Sequence, residues 1–195
     1  MFIGTYRHKK MAKLIIGITG EIACGKGTIT KHLVEEHGAF SHRFSSMLRD
    51  VLDRLYIDQT RENIATLSLI LRKNFGEDIM AKTMMKEVER DQHDIVVIDG
   101  VRRLADIKYM QKLPHFKLVY IDAKPQIRYE RLTHRRENTD DATKTFEEFM
   151  SDEHLESEEQ IRDLKNYADF VIDNDGDYVN LYAQVEKIIK ENVGE

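Results

Sequence analysis

The feature that most restricts this chain is the stretch Gly20-Glu21-Ile22-Ala23-Cys24-Gly25-Lys26-Gly27-Thr28. It follows a continuous apolar run, Leu14-Ile15-Ile16-Gly17-Ile18-Thr19, and leads into the helical pattern of Ile29, Leu33 and Val34. A short unbroken apolar run marks a strand buried on both faces, so the stretch is the turn of a strand–loop–helix unit. Its spacing is G-x-x-x-x-G-K, in which glycines let backbone N–H groups close around a polyphosphate. The helix start adds positive dipole, and Lys26 adds a mobile point charge for the β- and γ-phosphates. ATP is therefore the expected ligand, with Gly20, Ala23, Cys24, Gly25, Lys26, Gly27 and Thr28 lying against it. Cys24 occupies a variable position and has no catalytic assignment. Gly27 stands where a Ser or Thr usually ligates Mg2+, and the hydroxyl comes one residue later, at Thr28. The metal is then expected to rely on water and on a second carboxylate, Asp99, at the end of the apolar run 95–98.

Similar runs recur at 118–121 and 170–172, with a weaker one at 39–44. Helical patterns follow them, most clearly Tyr178, Leu181, Tyr182, Val185, Ile188 and Ile189 with Asp177 as N-cap. Alternating strands and helices predict a three-layer α/β domain of the P-loop NTPase type with about five parallel strands. Two helical stretches interrupt the alternation, at about 45–90 and about 131–150. The remaining core, about 11–44, 91–130 and 165–195, completes a single domain over residues 1–195. Within the first insertion Ile64, Leu67, Leu71 and Phe75 share one face, Met80 and Met84 belong to the core, and Arg72 is expected on the helix surface.

Thirty Lys and Arg against 35 Asp and Glu give a net charge of −5, which argues against a general electrostatic grip on DNA. The single cysteine excludes an intramolecular disulfide and a Cys-cluster zinc site, and fits a reducing cytoplasm. No apolar run approaches the ~18 residues of a membrane span, and the polar, basic residues 1–10 do not lead into a signal-peptide core. The eight histidines show no consistent metal spacing and are expected on the surface. A monomer or homodimer is expected.

Several short motifs together carry a family resemblance. Gly25-Lys26-Gly27-Thr28 resembles the P-loop of adenylate kinases and related nucleoside monophosphate kinases. Ser45-Ser46-Met47-Leu48-Arg49 is similar to the start of their acceptor-binding region. Ile98-Asp99-Gly100-Val101-Arg102-Arg103 resembles their third-strand motif, and Glu130-Arg131-Leu132-Thr133-His134-Arg135-Arg136 their helix-to-lid junction. Over residues 13–190 the layout is also similar to archaeal P-loop proteins described as adenylate-kinase-like or dephospho-coenzyme-A-kinase-like. The shared features there are a Thr60–Gly76 stretch, an acid-Gly-x-Arg strand end, and an arginine-rich segment followed by Asp140-Asp141. The resemblance implies transfer of the ATP γ-phosphate to a nucleotide phosphate, with the stretch at about 45–90 as an acceptor-binding insertion and that at about 131–150 as a lid. Lys26, Asp99, Arg102 and Arg135 would be the catalytic residues. Ser46, Arg49, Arg102 and Arg103 would hold the acceptor, and Arg131 and Arg135 would clamp the adenine and phosphates. The family's proline before the arginine is absent, so either Arg102 or Arg103 can be the one facing the site.

The arginines themselves point the same way. Residues 126–136 hold four arginines and one acid, whereas 137–160 hold ten acids and one lysine. A kinase must neutralise two anionic substrates and exclude water, which calls for cations outside the P-loop on segments that close. Guanidinium forks match phosphate bidentately. Arg49, the Arg102–Arg103 pair and the 128–136 cluster all adjoin predicted sheet ends. No Asp or Glu lies between Gly38 and Arg49. A hydroxyl acceptor benefits from a carboxylate base, whereas a phosphate acceptor needs none, so the gap favours a nucleotide or other small phosphorylated substrate. A dephospho-coenzyme-A kinase-like enzyme, or a nucleotide-dependent switch acting on a macromolecule, remains the alternative.

Overall fold

The computed structural model describes residues 11–135, 144–152 and 156–194. Five strands form one sheet: β1 (Leu14–Thr19), β2 (Phe40–Arg43), β3 (Ile95–Asp99), β4 (Phe116–Asp122) and β5 (Phe170–Asp173), in the order β2-β3-β1-β4-β5. Every pairing is parallel, with Ile16 opposite Val97 on one side and Lys117 on the other. Parallel neighbours require crossovers, and the helices that make them cover both faces.

β1 sits at the centre, and all six of its residues are buried. Leu14, Ile16 and Ile18 face α1 (Lys26–His37) and α9 (Tyr178–Val193), packing with Ile29, Leu33, Leu181, Val185 and Ile188. Ile15 faces the opposite way, toward α2 (Phe44–Arg54) and α4 (Ile79–Arg90), in a cluster with Val96, Ile98, Leu48, Met80, Met84 and Val88. Each fully buried aliphatic side chain contributes about 1.5–3 kcal/mol, so the two apolar layers hold the sheet and fix the register of β1.

The first insertion is α2, α3 (Arg61–Phe75) and α4 in succession. Thr60 caps α3 by accepting from the Asn63 N–H, and Ile64, Leu67 and Leu71 pack inward. Phe75 does not share that face: it closes the helix 65% exposed before the left-handed Gly76. A short helix α5 (Leu104–Ile107) follows β3, and α6 (Pro125–Arg135) follows β4. The second insertion contributes α7 (Phe146–Asp152) and α8 (Glu156–Asp163). Phe149 of α7 is buried against Leu132 and Ala23, which seats this insertion on the glycine-rich loop. Asp177 caps α9 through the Asn180 N–H, as its place in the pattern predicts. Among the described residues no helix is long and apolar enough to cross a membrane.

Candidate active site

The loop between β1 and α1 owes its shape to a few close approaches. At Gly20 (φ +142°) a Cβ would lie 2.5 Å from the Ile121 carbonyl oxygen and 2.7 Å from Cys24 Sγ. Gly25 (φ +108°) starts α1, and a Cβ there would meet Asn174 Nδ2 at 2.2 Å. That amide nitrogen donates to the Cys24 carbonyl at 2.7 Å, so a residue just beyond β5 fixes the loop's second corner. Ala23 adopts a left-handed conformation, φ 58°, between them. Lys26 Nζ crosses the loop, donating to the carbonyls of Gly20 (2.6 Å) and Glu21 (2.8 Å). Cys24 lies beneath the loop rather than along the cleft; burial pushes its thiol up against the pull of Lys26, so it stays protonated and inert. At Gly27 a Cβ would meet nothing within 4 Å, so no steric demand explains glycine there.

A buried ion cluster braces the loop from behind. Glu21, 8% exposed, carries Arg128 Nη2 at 3.3 Å and Arg162 Nη1 at 3.2 Å. Arg128 Nε also donates to the Ala123 carbonyl at 2.9 Å, and its guanidinium lies over the Phe149 ring. Arg128 is therefore a structural residue behind the loop, not one of the converging site arginines that its place in the basic cluster suggests.

The strand ends open onto a cleft of about 1470 Å³ on the carboxyl side of the sheet, where open parallel sheets bind ligands. Gly20, Ala23, Gly25, Lys26, Gly27 and Thr28 line one end. Asp99, the last residue of β3, is buried and accepts from Arg43 Nε at 2.7 Å. Arg43 ends β2, and a strand drawn through residues 39–44 would have placed it here by the carboxyl-end rule. Thr19 Oγ1 donates to the Val101 carbonyl at 2.9 Å, tying the segment after β3 to the top of β1.

Arg102 and Arg103 both line the cleft. Their backbone N–H groups both donate to Asp106 Oδ2, at 3.1 Å each. Asp106 also holds Arg72 Nη2 at 3.3 Å, and Arg72 Nη1 donates to the Glu77 carbonyl at 2.6 Å. Arg72 thus lies in the cleft wall with only 10% of its side chain exposed, in place of the helix-surface position expected. Arg49 faces the cleft with Ser45 and Leu48, one helical face of α2, and donates to Gln59 at 3.2 Å. Ser46 is rotated off that face and exposed, outside the cleft lining.

On α6, Arg131 Nη2 donates to the Asn174 carbonyl at 2.8 Å, while its Nη1 is buried with no hydrogen-bond partner among the described residues. A buried guanidinium N–H without a partner costs about 1–3 kcal/mol or more, and an anion in the cleft would relieve it. The Arg135 side chain, Arg136 and Asp140-Asp141 lie outside the described residues.

A parallel five-stranded sheet, a glycine-cornered loop closed by a lysine, and an arginine-lined cleft at the strand ends define a P-loop fold of the kinase type. A protein-family model described as an AAA domain matches residues 16–160, and the chain belongs to that family. Similar curated proteins carry the name UPF0200 protein. One from Hyperthermus butylicus is 27% identical, covering 94% of this chain and 97% of its own length. One from Methanocaldococcus jannaschii is also 27% identical, covering 91% and 90% respectively. Among solved structures, shikimate kinase from Bacteroides thetaiotaomicron superposes with a TM-score of 0.60 at 16% identity, over 91% of this chain and 97% of that one. A gluconokinase from Sinorhizobium meliloti gives 0.56 at 11% identity, over 93% and 97%. These structural likenesses bear on the fold.

Proposed function

We propose that the protein is an ATP-dependent phosphotransferase whose acceptor is the phosphate of a nucleotide or a similarly anionic small molecule. The observation that carries this reading is the charge of the cleft. Among the described residues, six arginines and two lysines line it against four aspartates, in a protein whose net charge is −5. Each of those carboxylates already has a partner: Asp99 has Arg43, Asp106 has Arg72, Asp152 has Lys144, and Asp177 caps α9. The surplus cations suit an acceptor that brings its own negative charge and needs no base.

The triphosphate belongs on the loop amides and Lys26, with Arg131 Nη1 as a further donor toward it. Thr28 and Asp99 are the residues that would hold Mg2+, which when bound neutralises charge between the β- and γ-phosphates. Arg49, Arg102 and Arg103 would orient the acceptor phosphate, with Arg43 and Arg72 beside them. Arg72 and Asp106 fix the segment that carries Arg102 and Arg103. Lys144 and Phe149, which already bring the second insertion against the cleft, would help exclude water, the competing acceptor.

A second reading, a hydroxyl acceptor of the dephospho-coenzyme-A kinase kind, draws support from Asp99. That carboxylate could take the hydroxyl proton if Arg43 moved away. The likeness to shikimate kinase and gluconokinase favours it as well.

The test is incubation with ATP, Mg2+ and, separately, nucleoside monophosphates, dephospho-coenzyme A, shikimate and gluconate, with products resolved by chromatography. A nucleoside diphosphate product is expected. Transfer to hydroxyl acceptors alone would overturn the acceptor assignment, and hydrolysis that only a macromolecule stimulates would point to a switch. Lys26→Ala should lower turnover about 10²–10³-fold, as removal of one transition-state donor does elsewhere.

A further inference from the structure

Away from the cleft, at the far end of α1, three potential ligands converge. His32 Nε2 and His37 Nε2 lie 2.7 Å and 2.8 Å from the same Glu186 carboxylate oxygen. All three ligand atoms fall within 4.8 Å of one another. The sequence spacing hides this arrangement. His32 and His37 are five apart on α1, and the carboxylate arrives from α9, packed beside it.

The group is held in place. The His32 ring stacks on Tyr182, 4.1 Å between centroids and 8° from parallel, and the His37 ring meets His32 edge-on at 5.8 Å. Both imidazoles are largely covered, with 13% and 21% of their side chains exposed, while Glu186 stays open to solvent on one side.

We infer that His32, His37 and Glu186 form a binding site for a divalent transition-metal ion, Zn2+ in the first instance, that clips the end of α1 to α9. Two imidazoles and one carboxylate make an N2O donor set, which suits Zn2+, Co2+ or Ni2+ rather than the all-oxygen preference of Mg2+ and Ca2+. Bonds of about 2.0–2.1 Å to a tetrahedral ion place ligand atoms about 3.3 Å apart, so the side chains need to spread by roughly half an ångström. The open face of Glu186 leaves room for water as fourth ligand. Binding adds stability to the folded chain, because the three ligands meet only when α1 and α9 are docked. The role is structural, and the site is independent of the nucleotide cleft.

The experiment uses the full chain, free of any affinity tag and stripped with a chelator. Titration with ZnCl2 in a calorimeter, in the presence of excess Mg2+, should give one tight equivalent, and the thermal midpoint should rise. Glu186→Gln and His37→Gln should each weaken that equivalent at least about tenfold, since loss of even an outer-shell partner weakens metal by 10–100-fold. Both variants should keep the parent's circular dichroism in chelator. Co2+ added to the parent gives a reading that needs no variant: intense visible bands mark four-coordinate histidine ligation. Absence of a tight equivalent, variants that bind like the parent, or a pale six-coordinate Co2+ spectrum would each overturn the assignment.

Discussion

Glu21→Ala tests whether the phosphate loop depends on the ion cluster behind it. The substitution removes the carboxylate shared by Arg128 and Arg162. Arg128 is 1% exposed, and after the change it keeps its 2.9 Å bond to the Ala123 carbonyl and a long 3.4 Å contact to that of Ile22. Breaking one side of a buried ion pair costs about 3–5 kcal/mol. The remaining carbonyl bonds reduce the loss, and the Arg162 half, 37% exposed, is worth no more than about 1 kcal/mol. The expected destabilisation is about 2–4 kcal/mol, or roughly 4–16 °C in Tm for a chain of this size. Urea unfolding should show a lower midpoint with an unchanged m-value. The double variant Glu21→Gln with Arg128→Met should recover much of the loss, because both members of the buried Glu21–Arg128 pair are then removed together. A Glu21→Ala protein within about 0.5 kcal/mol of the parent would refute the account.

Three further outcomes follow from the same geometry. Gly25→Ala should abolish ATP binding by driving a Cβ into Asn174, whereas Gly27→Ser should fold like the parent and bind Mg2+·ATP at least as tightly; calorimetry separates them. Tyr109 donates to Asp78 at 2.5 Å and, with Lys82, lowers its carboxyl to about 2. Because the folded value lies below the unfolded one, this stabilisation is complete above about pH 4 and drains away as pH falls toward 2. Tyr109→Phe should flatten the acid limb of a Tm-against-pH series. Cys24 should resist alkylation in the native protein and react fully in urea, as its buried, protonated thiol requires.

Much of the framework is legible in residue order, because parallel strands buried on both faces have no polar alternation to blur them. β1, β3, β4 and the capped helix α9 fall where their apolar runs and Asp177 place them. β2 is weaker because its residues 40–43 are half-covered at the sheet edge, and with it went Arg43, the partner of Asp99. Arg72, Asp106 and Asn174 were illegible for a different reason. The Arg72–Asp106 and Asn174–Cys24 bonds span 34 and 150 positions, which no local pattern records. Arg128 was misread because proximity to other arginines says nothing about which side of the loop a helix presents. The histidines gave no spacing signal because their third ligand belongs to another helix.

Asn174 joins two parts of the cleft that sequence keeps far apart. Its side chain holds the Cys24 carbonyl, and its own carbonyl holds Arg131. Residue 174 follows directly on β5, so the loop's second corner and the Arg131 side chain gain this brace only when the last strand docks. A nascent chain that has built β1 through α6 would carry the loop sequence without its finished shape.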